Sequence, residues 1–223
     1  MRAMILAAGR GERMRPLTDH TPKPLLKIGG KPLIVWHLER LAVAGYKEVI
    51  INHAHLGSQI EAALGNGSQW GLSIQYSPEK VALETAGGIA YALPLLGQSP
   101  FLVINGDVYT EMDFSLLKHA LQTLNLAHLI MVSNPPQHIQ GDFAYLDGKL
   151  ALEGEVKLTF SGIGVYHPDL FKNVHRGDAA KLAPLLKSAI TQGVLTAEHY
   201  KGVWHDIGTP ERLNQLDEQF TTD

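Results

Sequence analysis

The most informative segment of the chain runs from Leu6 to Pro24. It reads LAAGRGERMRPLTDHTPKP and directly follows the apolar residues Met4 and Ile5. An apolar run that ends in glycines is typical of a buried strand that stops in a tight turn. In an open α/β sheet, ligands bind at the carboxyl ends of such strands. The sequence therefore predicts a first strand that delivers a polar loop to a binding edge.

This polar loop is rich in groups that can hold phosphate. Backbone N–H groups at Gly9 and Gly11 can approach phosphate oxygens closely because no Cβ is in the way. Arg13 offers a planar fork of donors, and Lys23 offers a point charge. A Walker loop would need Gly-Lys-Ser/Thr after four spacer residues, and a dinucleotide fingerprint would need a third glycine where Met14 stands. We therefore predict a site for a nucleoside triphosphate.

Apolar, β-branched runs recur along the chain, at 47–52, 72–76, 101–105 and 127–132. Helical patterns lie between and after them: from Pro32 to Gly45, after Asp113 with Phe114, Leu117, Leu121 and Leu124, around 182–190, and at Leu213, Leu216 and Phe220. Alternating strands and helices are typical of a parallel sheet. We predict an α/β fold with a Rossmann-like, mostly parallel sheet flanked by helices.

Composition argues against several classes of function. A formal net charge of −3 disfavours a nucleic-acid binder, whose surface is normally basic. The chain has no cysteine, which removes disulfides, thiol catalysis and zinc–thiolate sites. No apolar run approaches the roughly 18 residues that span a bilayer, and the amino terminus lacks a signal-peptide pattern. We expect a cytoplasmic protein with no membrane or nucleic-acid partner, as a monomer or a weak homo-oligomer.

The polar loop closely resembles the signature of the sugar-1-phosphate nucleotidyltransferases, Gly-x-Gly-x-Arg-x-x-Pro-Leu-Thr followed by Pro-Lys-Pro. The matching residues are Gly9, Gly11, Arg13, Pro16, Leu17, Thr18, Pro22, Lys23 and Pro24. The resemblance implies transfer of a nucleotidyl group from an NTP to a sugar 1-phosphate, with the NTP bound at Gly9, Gly11, Glu12, Arg13 and Lys23. It also implies that Arg13 and Lys23 act in catalysis by neutralising charge.

Two aspartates resemble the metal-binding positions of this family. Asp107 follows the predicted strand 101–105, and Asp206 lies in the string WHDIGTP at 204–210. Mg²⁺ prefers one or two carboxylates together with phosphate oxygens and water. We therefore expect Asp107 and Asp206 to hold Mg²⁺. The alternatives are a turn aspartate at 107 and a capping or ion-paired aspartate at 206.

Glu79, followed by the segment from Leu83 to Gly88, resembles the part of the family that reads the nucleobase. On this resemblance, we expect the backbone of Gly88 to lie against the edge of the base. The alternative is a helix start whose small residues only pack close to the sheet.

The second half of the chain is expected to bind the sugar. Asn134-Pro135-Pro136 breaks the alternation of strands and helices, and residues 143–166 read as a hairpin and a strand. We treat 1–223 as a single domain, with a nucleotide-binding part at 1–133 and, at 134–223, a small β-rich sugar-binding subregion and the C-terminal helices. No hexapeptide period is present, so no C-terminal β-helix is expected.

Four residues are the expected sugar contacts by position. Asn105 sits beside Asp107, and Gly141 opens the predicted hairpin. The family's Glu-Lys-Pro string is absent, so that either Glu153 or Glu155 could be the sugar-contacting glutamate. Lys157 would then be the basic partner of the sugar phosphate.

Chain length and the segments 83–88 and 154–171 are most similar to short bacterial members of the family that use UTP and N-acetylmuramate 1-phosphate in cell-wall sugar recycling. A mannose- or glucose-1-phosphate nucleotidyltransferase is the alternative within the family. A non-catalytic regulatory relative that binds nucleotide sugars would be expected to lose Lys23, Arg13 or an aspartate. An oxidoreductase would need the missing dinucleotide fingerprint.

Overall fold

The computed structural model describes residues 1–121 and 124–221 of the chain. Its strands are β1 (Ala3–Leu6), β2 (Lys27–Ile28), β3 (Lys31–Pro32), β4 (Glu48–His53), β5 (Ser73–Pro78), β6 (Phe101–Asn105), β7 (Val108–Thr110), β8 (Ala127–Val132), β9 (Phe143–Leu146), β10 (Lys149–Ala151), β11 (Lys157–Tyr166), β12 (Leu195–His199) and β13 (Trp204–Asp206). Its α-helices are α1 (Leu33–Val43), α2 (Gly57–Leu64), α3 (Glu84–Leu96), α4 (Leu182–Thr191) and α5 (Pro210–Thr221). Short 3₁₀ helices lie at Glu12–Met14, Leu17–Asp19, Lys23–Leu25, Ser68–Trp70, Phe114–His119, Pro136–His138 and Pro168–Phe171.

The central sheet has nine strands in the order β5-β4-β1-β6-β11-β8-β12-β10-β9. The first four strands are parallel, as predicted from the alternating runs. β11 then runs antiparallel between β6 and β8, and the hairpin of β9 and β10 completes the far edge. The Rossmann-like half is thus joined to a β-rich subregion through one long shared strand, which confirms the predicted fold class.

Helices cover both faces of the sheet because each buried strand is apolar on both sides. Ile5 packs in a cluster with Ile34 and Leu38 of α1. Its neighbour Met4 points the other way and packs with Ile89 of α3. The two resulting cores leave the carboxyl ends of β1, β4 and β6 uncovered, and the polar loop lies there.

A third, smaller core ties the C-terminal helix to the polar loop. Met14 of the loop packs in one cluster with Ile207, which follows β13, and with Leu213 and Leu216 of α5. The end of the chain therefore holds both the loop after β1 and the turn after Asp206 in place.

The helix predicted after Asp113 differs from expectation. The segment is a 3₁₀ helix of six residues, begun by the Asp113 side chain, which accepts a hydrogen bond from the Ser115 N–H at 2.8 Å. Only Phe114 and Leu117 are buried in it, and an i,i+3 pair is what a 3₁₀ helix aligns on one side. Leu124 is 87% exposed in our structure, and residues 122–123 lie outside the described part. In the described part of the chain, no helix is long and apolar enough to cross a membrane.

His37 of α1 is a fully buried polar residue beneath the site. Its Nε2 donates to the carbonyl of Val108 at 2.8 Å, whereas Nδ1 has no partner among the described residues. The pKa of His37 is lowered to about 4, mainly by burial and also by nearby Arg40, whereas the hydrogen bond to Val108 and the charge of Asp107 act in the opposite direction. The ring is therefore neutral in the folded protein at neutral pH.

This burial predicts an acid-sensitive contribution to stability. In the unfolded chain His37 binds a proton below pH 6.5, whereas in the folded chain it does so only below about pH 4. The neutral, buried ring therefore contributes to the free energy of unfolding above pH 6.5, and this contribution is lost as the pH falls from 6.5 to about 4. The loss should total about 3 kcal/mol. Urea unfolding at pH 7, 5.5 and 4 should show a steeper decline for the wild type than for His37→Gln. Equal slopes would contradict the assignment.

Candidate active site

Three adjoining cavities open at the carboxyl ends of β1, β4 and β6. The first, of about 360 Å³, lies between the residues that end β1, the end of β4 and the start of α3. The second, of about 230 Å³, is lined by the polar loop, Lys23 and Gly208. The third, of about 180 Å³, lies between β6, β11 and β13. Asp107 borders all three, so its carboxylate marks the point where they meet.

The second cavity contains the predicted triphosphate residues Gly9, Gly11, Glu12, Arg13 and Lys23 together. Gly11 has a left-handed backbone with φ of 71°, and a Cβ there would lie 2.9 Å from Cγ2 of Thr18. Thr18 also donates its hydroxyl to the Gly11 carbonyl at 2.8 Å. Glycine is needed at this position because an L side chain would be strained and crowded there. The loop is thus held by its own contacts before any ligand binds.

Lys23 reaches from the polar loop to the end of β6. It is 9% exposed, and its Nζ lies 2.7 Å from Oδ2 of Asp107. Pro22 and Pro24 restrict the backbone on both sides and so reduce the ordering cost of aiming the ammonium. The ion pair places one positive and one negative group at the junction of the cavities.

Asp206 is brought beside Asp107 by a two-stranded ribbon. β7 and β13 pair antiparallel with Asp206 opposite Val108, and the Ile207 N–H donates to the Asp107 carbonyl at 2.9 Å. The Asp206 carboxylate forms an ion pair with Arg212 of α5. Arg212 was not among the predicted residues, although its place in the first turn of the helix that Thr209-Pro210 starts puts it within reach of position 206.

Three cations converge around this pair of aspartates. A Cβ at Gly208 would lie 3.2 Å from Nη2 of Arg13 and would collide with the guanidinium of Arg212, so both arginines flank this turn. Lys23 approaches from the other side, against Asp107. The second cavity itself is lined by two of these cations, Arg13 and Lys23, together with the acidic Glu12 and Asp107, and the two cations can contact a polyphosphate.

The two aspartates suit a magnesium ion that arrives with a nucleotide. Among residues 1–121 and 124–221 there is no group of three or more acidic or histidine side chains that could hold a metal ion by itself. Two carboxylates are sufficient for Mg²⁺, because phosphate oxygens and water complete its shell. Asp107 and Asp206 both line the third cavity and present the required oxygen donors.

A buried polar network forms one wall of the first cavity. Asn52 accepts from the Ala7 N–H at 2.9 Å and donates to Oε1 of Glu79 at 2.7 Å. Oε2 of Glu79 accepts from the Leu83 N–H at 2.9 Å. Gly88, the expected base contact, lies behind this wall: a Cβ there would be 2.7 Å from Glu79 Oε1 and 2.8 Å from Asn52 Nδ2. Its observed contact is thus with the network, and Glu79 and Asn52 line the cavity instead.

The third cavity includes one of the four expected sugar contacts, Asn105. Gly162 in β11 has φ of +79°, and a Cβ there would lie 2.5 Å from Nδ2 of Asn105, so glycine leaves the room that this amide occupies. The other three lie outside the lining. Gly141 packs against Asn134 and Leu158, and Glu153 is 91% exposed with its carboxylate 3.2 Å from Nζ of Lys157.

Sequence reasoning missed several of the residues that line the third cavity. They include Pro135, Gln137, His138, Thr159 and Trp204. A signal for Thr159 was present in β11, where Thr159 and Ser161 are polar residues that alternate with apolar ones. The indole Nε1 of Trp204 donates to the Ser161 carbonyl at 3.0 Å, which closes β13 onto β11.

Comparisons with known proteins agree with this geometry. The model of the nucleotidyl transferase family matches residues 2–143. N-acetylmuramate alpha-1-phosphate uridylyltransferase of Neisseria meningitidis serogroup B is 54% identical, over 96% of this chain and 96% of that protein. Mannose-1-phosphate guanylyltransferase catalytic subunit beta of Danio rerio is 30% identical, over 95% of this chain and 62% of its own length.

Solved structures show the same fold at lower identity. HddC from Yersinia pseudotuberculosis superposes with a TM-score of 0.79 at 22% identity, covering 98% of this chain and 99% of that one. The fold, the signature loop and the full-length relatives all lead to one assignment. The chain belongs to the nucleotidyl transferase family and is a sugar-1-phosphate nucleotidyltransferase.

Proposed function

We propose that this chain transfers the uridylyl group of UTP to N-acetylmuramate 1-phosphate, with Mg²⁺ as cofactor, releasing pyrophosphate and forming UDP-N-acetylmuramate. The observation that carries the proposal is the position of Asp107, which borders all three cavities. We assign the first cavity to the nucleoside, the second to the triphosphate and the third to the sugar. The α-phosphorus of the NTP and the attacking phosphate oxygen of the sugar would meet beside Asp107. The choice of UTP and of N-acetylmuramate is supported by the relative from Neisseria meningitidis.

The chemistry needs no protein base. The second pKa of a sugar phosphate is about 6, so the phosphate is mostly a dianion at neutral pH and its oxygen can attack the α-phosphorus directly. A bond from this oxygen to the α-phosphorus forms, the α–β phosphoanhydride bond breaks, and pyrophosphate leaves in line. The obstacle is repulsion between two anions, and Lys23 and Arg13 offset it by holding positive charge where they meet. Mg²⁺ at Asp107 and Asp206 would supply further charge neutralisation.

A non-catalytic regulatory role has less support. Such a protein could lose a reacting group without losing its ligand, yet Lys23, Arg13, Asp107 and Asp206 are all present and lie around one junction. Transfer of guanylyl to mannose 1-phosphate stays the second candidate because of the relative from Danio rerio.

A substrate panel tests the proposal. Pyrophosphate release by the purified protein should be fastest with UTP among four NTPs and with N-acetylmuramate 1-phosphate among sugar phosphates. Preference over N-acetylglucosamine 1-phosphate is the sharpest measurement, since this sugar differs only in having a free 3-hydroxyl in place of the lactyl ether that carries the carboxylate. Equal kcat/KM for the two sugars would contradict the muramate assignment, and a preference for GTP with mannose 1-phosphate would replace it by the second candidate.

A further inference from the structure

The third cavity contains two carboxylates, which would repel a substrate with an additional negative charge. Asp107 and Asp206 both line it. Their ion-pair partners Lys23 and Arg212 are committed to these carboxylates and are not among the residues that line it. Among the described lining residues, His138 is the one side chain that can carry a positive charge.

His138 is held in a defined orientation at the cavity wall. It ends the 3₁₀ helix Pro136–His138, and its Nε2 lies 3.1 Å from Oδ1 of Asp142. Oδ2 of the same carboxylate accepts from the Phe160 N–H of β11 at 2.8 Å. Asp142 thus connects the imidazole to the strand that floors the cavity, while Nδ1 of His138 has no hydrogen-bond partner in the described part of the chain.

We propose that His138 binds the lactyl carboxylate of N-acetylmuramate 1-phosphate and thereby sets the preference of the enzyme for an acidic sugar. The inference rests on the proposed function and adds the residue that reads the acid group. An imidazole ring has two nitrogens, so Nε2 can contact Asp142 while Nδ1 contacts a substrate carboxylate, and a hydrogen bond to a charged partner is stronger than one between neutral groups. Asp142 is the positioning residue, since it acts on the substrate only through the ring.

Lys157, the expected basic partner of the sugar phosphate, is the competing cation. Its ammonium pairs with the Glu153 carboxylate at 3.2 Å, and the Lys157 side chain is 28% exposed against 42% for His138, so exposure does not separate the two cations. Lys157 does not line the third cavity, and its backbone carbonyl is instead held by the Asn134 amide at 2.8 Å. The geometry therefore favours His138 over Lys157.

The test compares kcat/KM for N-acetylmuramate 1-phosphate and for N-acetylglucosamine 1-phosphate in wild type and His138→Gln. We expect the variant to lose about 10- to 100-fold with the acidic sugar and to be nearly unchanged with the neutral one. The loss should lie mainly in KM, because the contact is made in the bound ground state as well as in the transition state. Asp142→Asn should shift the same preference in the same direction by a smaller factor.

Two matched controls make the outcome decisive. His167→Gln removes a histidine outside the cavity, whose Nδ1 accepts from the Asp169 N–H at 3.2 Å, and should keep the wild-type preference. Lys157→Gln should keep it as well. An unchanged preference in His138→Gln, an equal loss with both sugars, or a lost preference in Lys157→Gln would each overturn the proposal. Failure of the proposed function would be visible separately, because the wild type itself would then show no preference for the acidic sugar.

Discussion

Lys23→Ala should lower kcat by about 10²- to 10³-fold, the range found when one preorganised group that stabilises transition-state charge is removed. The ammonium lies 2.7 Å from Asp107 at the junction of the cavities, where the charges of nucleotide and sugar phosphate would meet. The fold should tolerate the change, because the Asp107 side chain is 37% exposed and water can solvate it once the cation is gone. Steady-state kinetics and a thermal unfolding midpoint measure the two effects.

Two further variants separate charge from packing at this position. Lys23→Met keeps most of the buried stem and loses only the ammonium, so it should be nearly as slow as the alanine variant. Lys27→Ala removes an exposed lysine four residues further on and should leave kcat unchanged. A near-normal kcat in Lys23→Met would show that the role assigned to the charge is wrong.

Asp107→Asn and Asp206→Asn should each cut kcat strongly and raise the Mg²⁺ concentration needed for half-maximal activity. The two carboxylates are neighbours across the β7–β13 ribbon, and each is expected to act through the same ion. Loss of either carboxylate should weaken binding of the same Mg²⁺ ion, so the kcat of the double variant should be little lower than that of the slower single variant. A double-mutant cycle on kcat at saturating substrate, with Mg²⁺ titrated for every variant, measures this coupling.

Asp169→Asn is the matched control for the aspartate cycle. Asp169 is a well-exposed carboxylate on the 3₁₀ helix Pro168–Phe171, so its loss should change neither kcat nor the Mg²⁺ requirement. Fully multiplicative losses from Asp107→Asn and Asp206→Asn would show that the two do not share a metal site. An unchanged Mg²⁺ requirement in one single variant would assign that aspartate to its turn or its ion pair alone.

The triphosphate loop and the parallel half of the sheet could be predicted from local sequence. Buried strands are apolar over several consecutive residues, and their carboxyl ends meet at one edge of a parallel sheet. Gly9, Gly11, Arg13 and Lys23 could therefore be placed beside Asp107, although Lys23 and Asp107 are 84 residues apart. The helix after Asp113 was predicted too long because an apolar pattern at i and i+3 suits one 3₁₀ segment as well as an α-helix.

The sugar side of the site was decided only by tertiary structure. Insertion of β11 antiparallel between β6 and β8 brings Thr159 and Ser161 to Asn105, and no local pattern encodes that order of strands. Ion pairs such as Asp206 with Arg212 depend on how α5 packs against the loop after β1. The chemistry of the strand ends could be predicted from sequence, because a strand and the turn that follows it are formed by neighbouring residues. Which side chains line each cavity depends on how the sheet packs, because each cavity wall is built from segments that are distant in the chain.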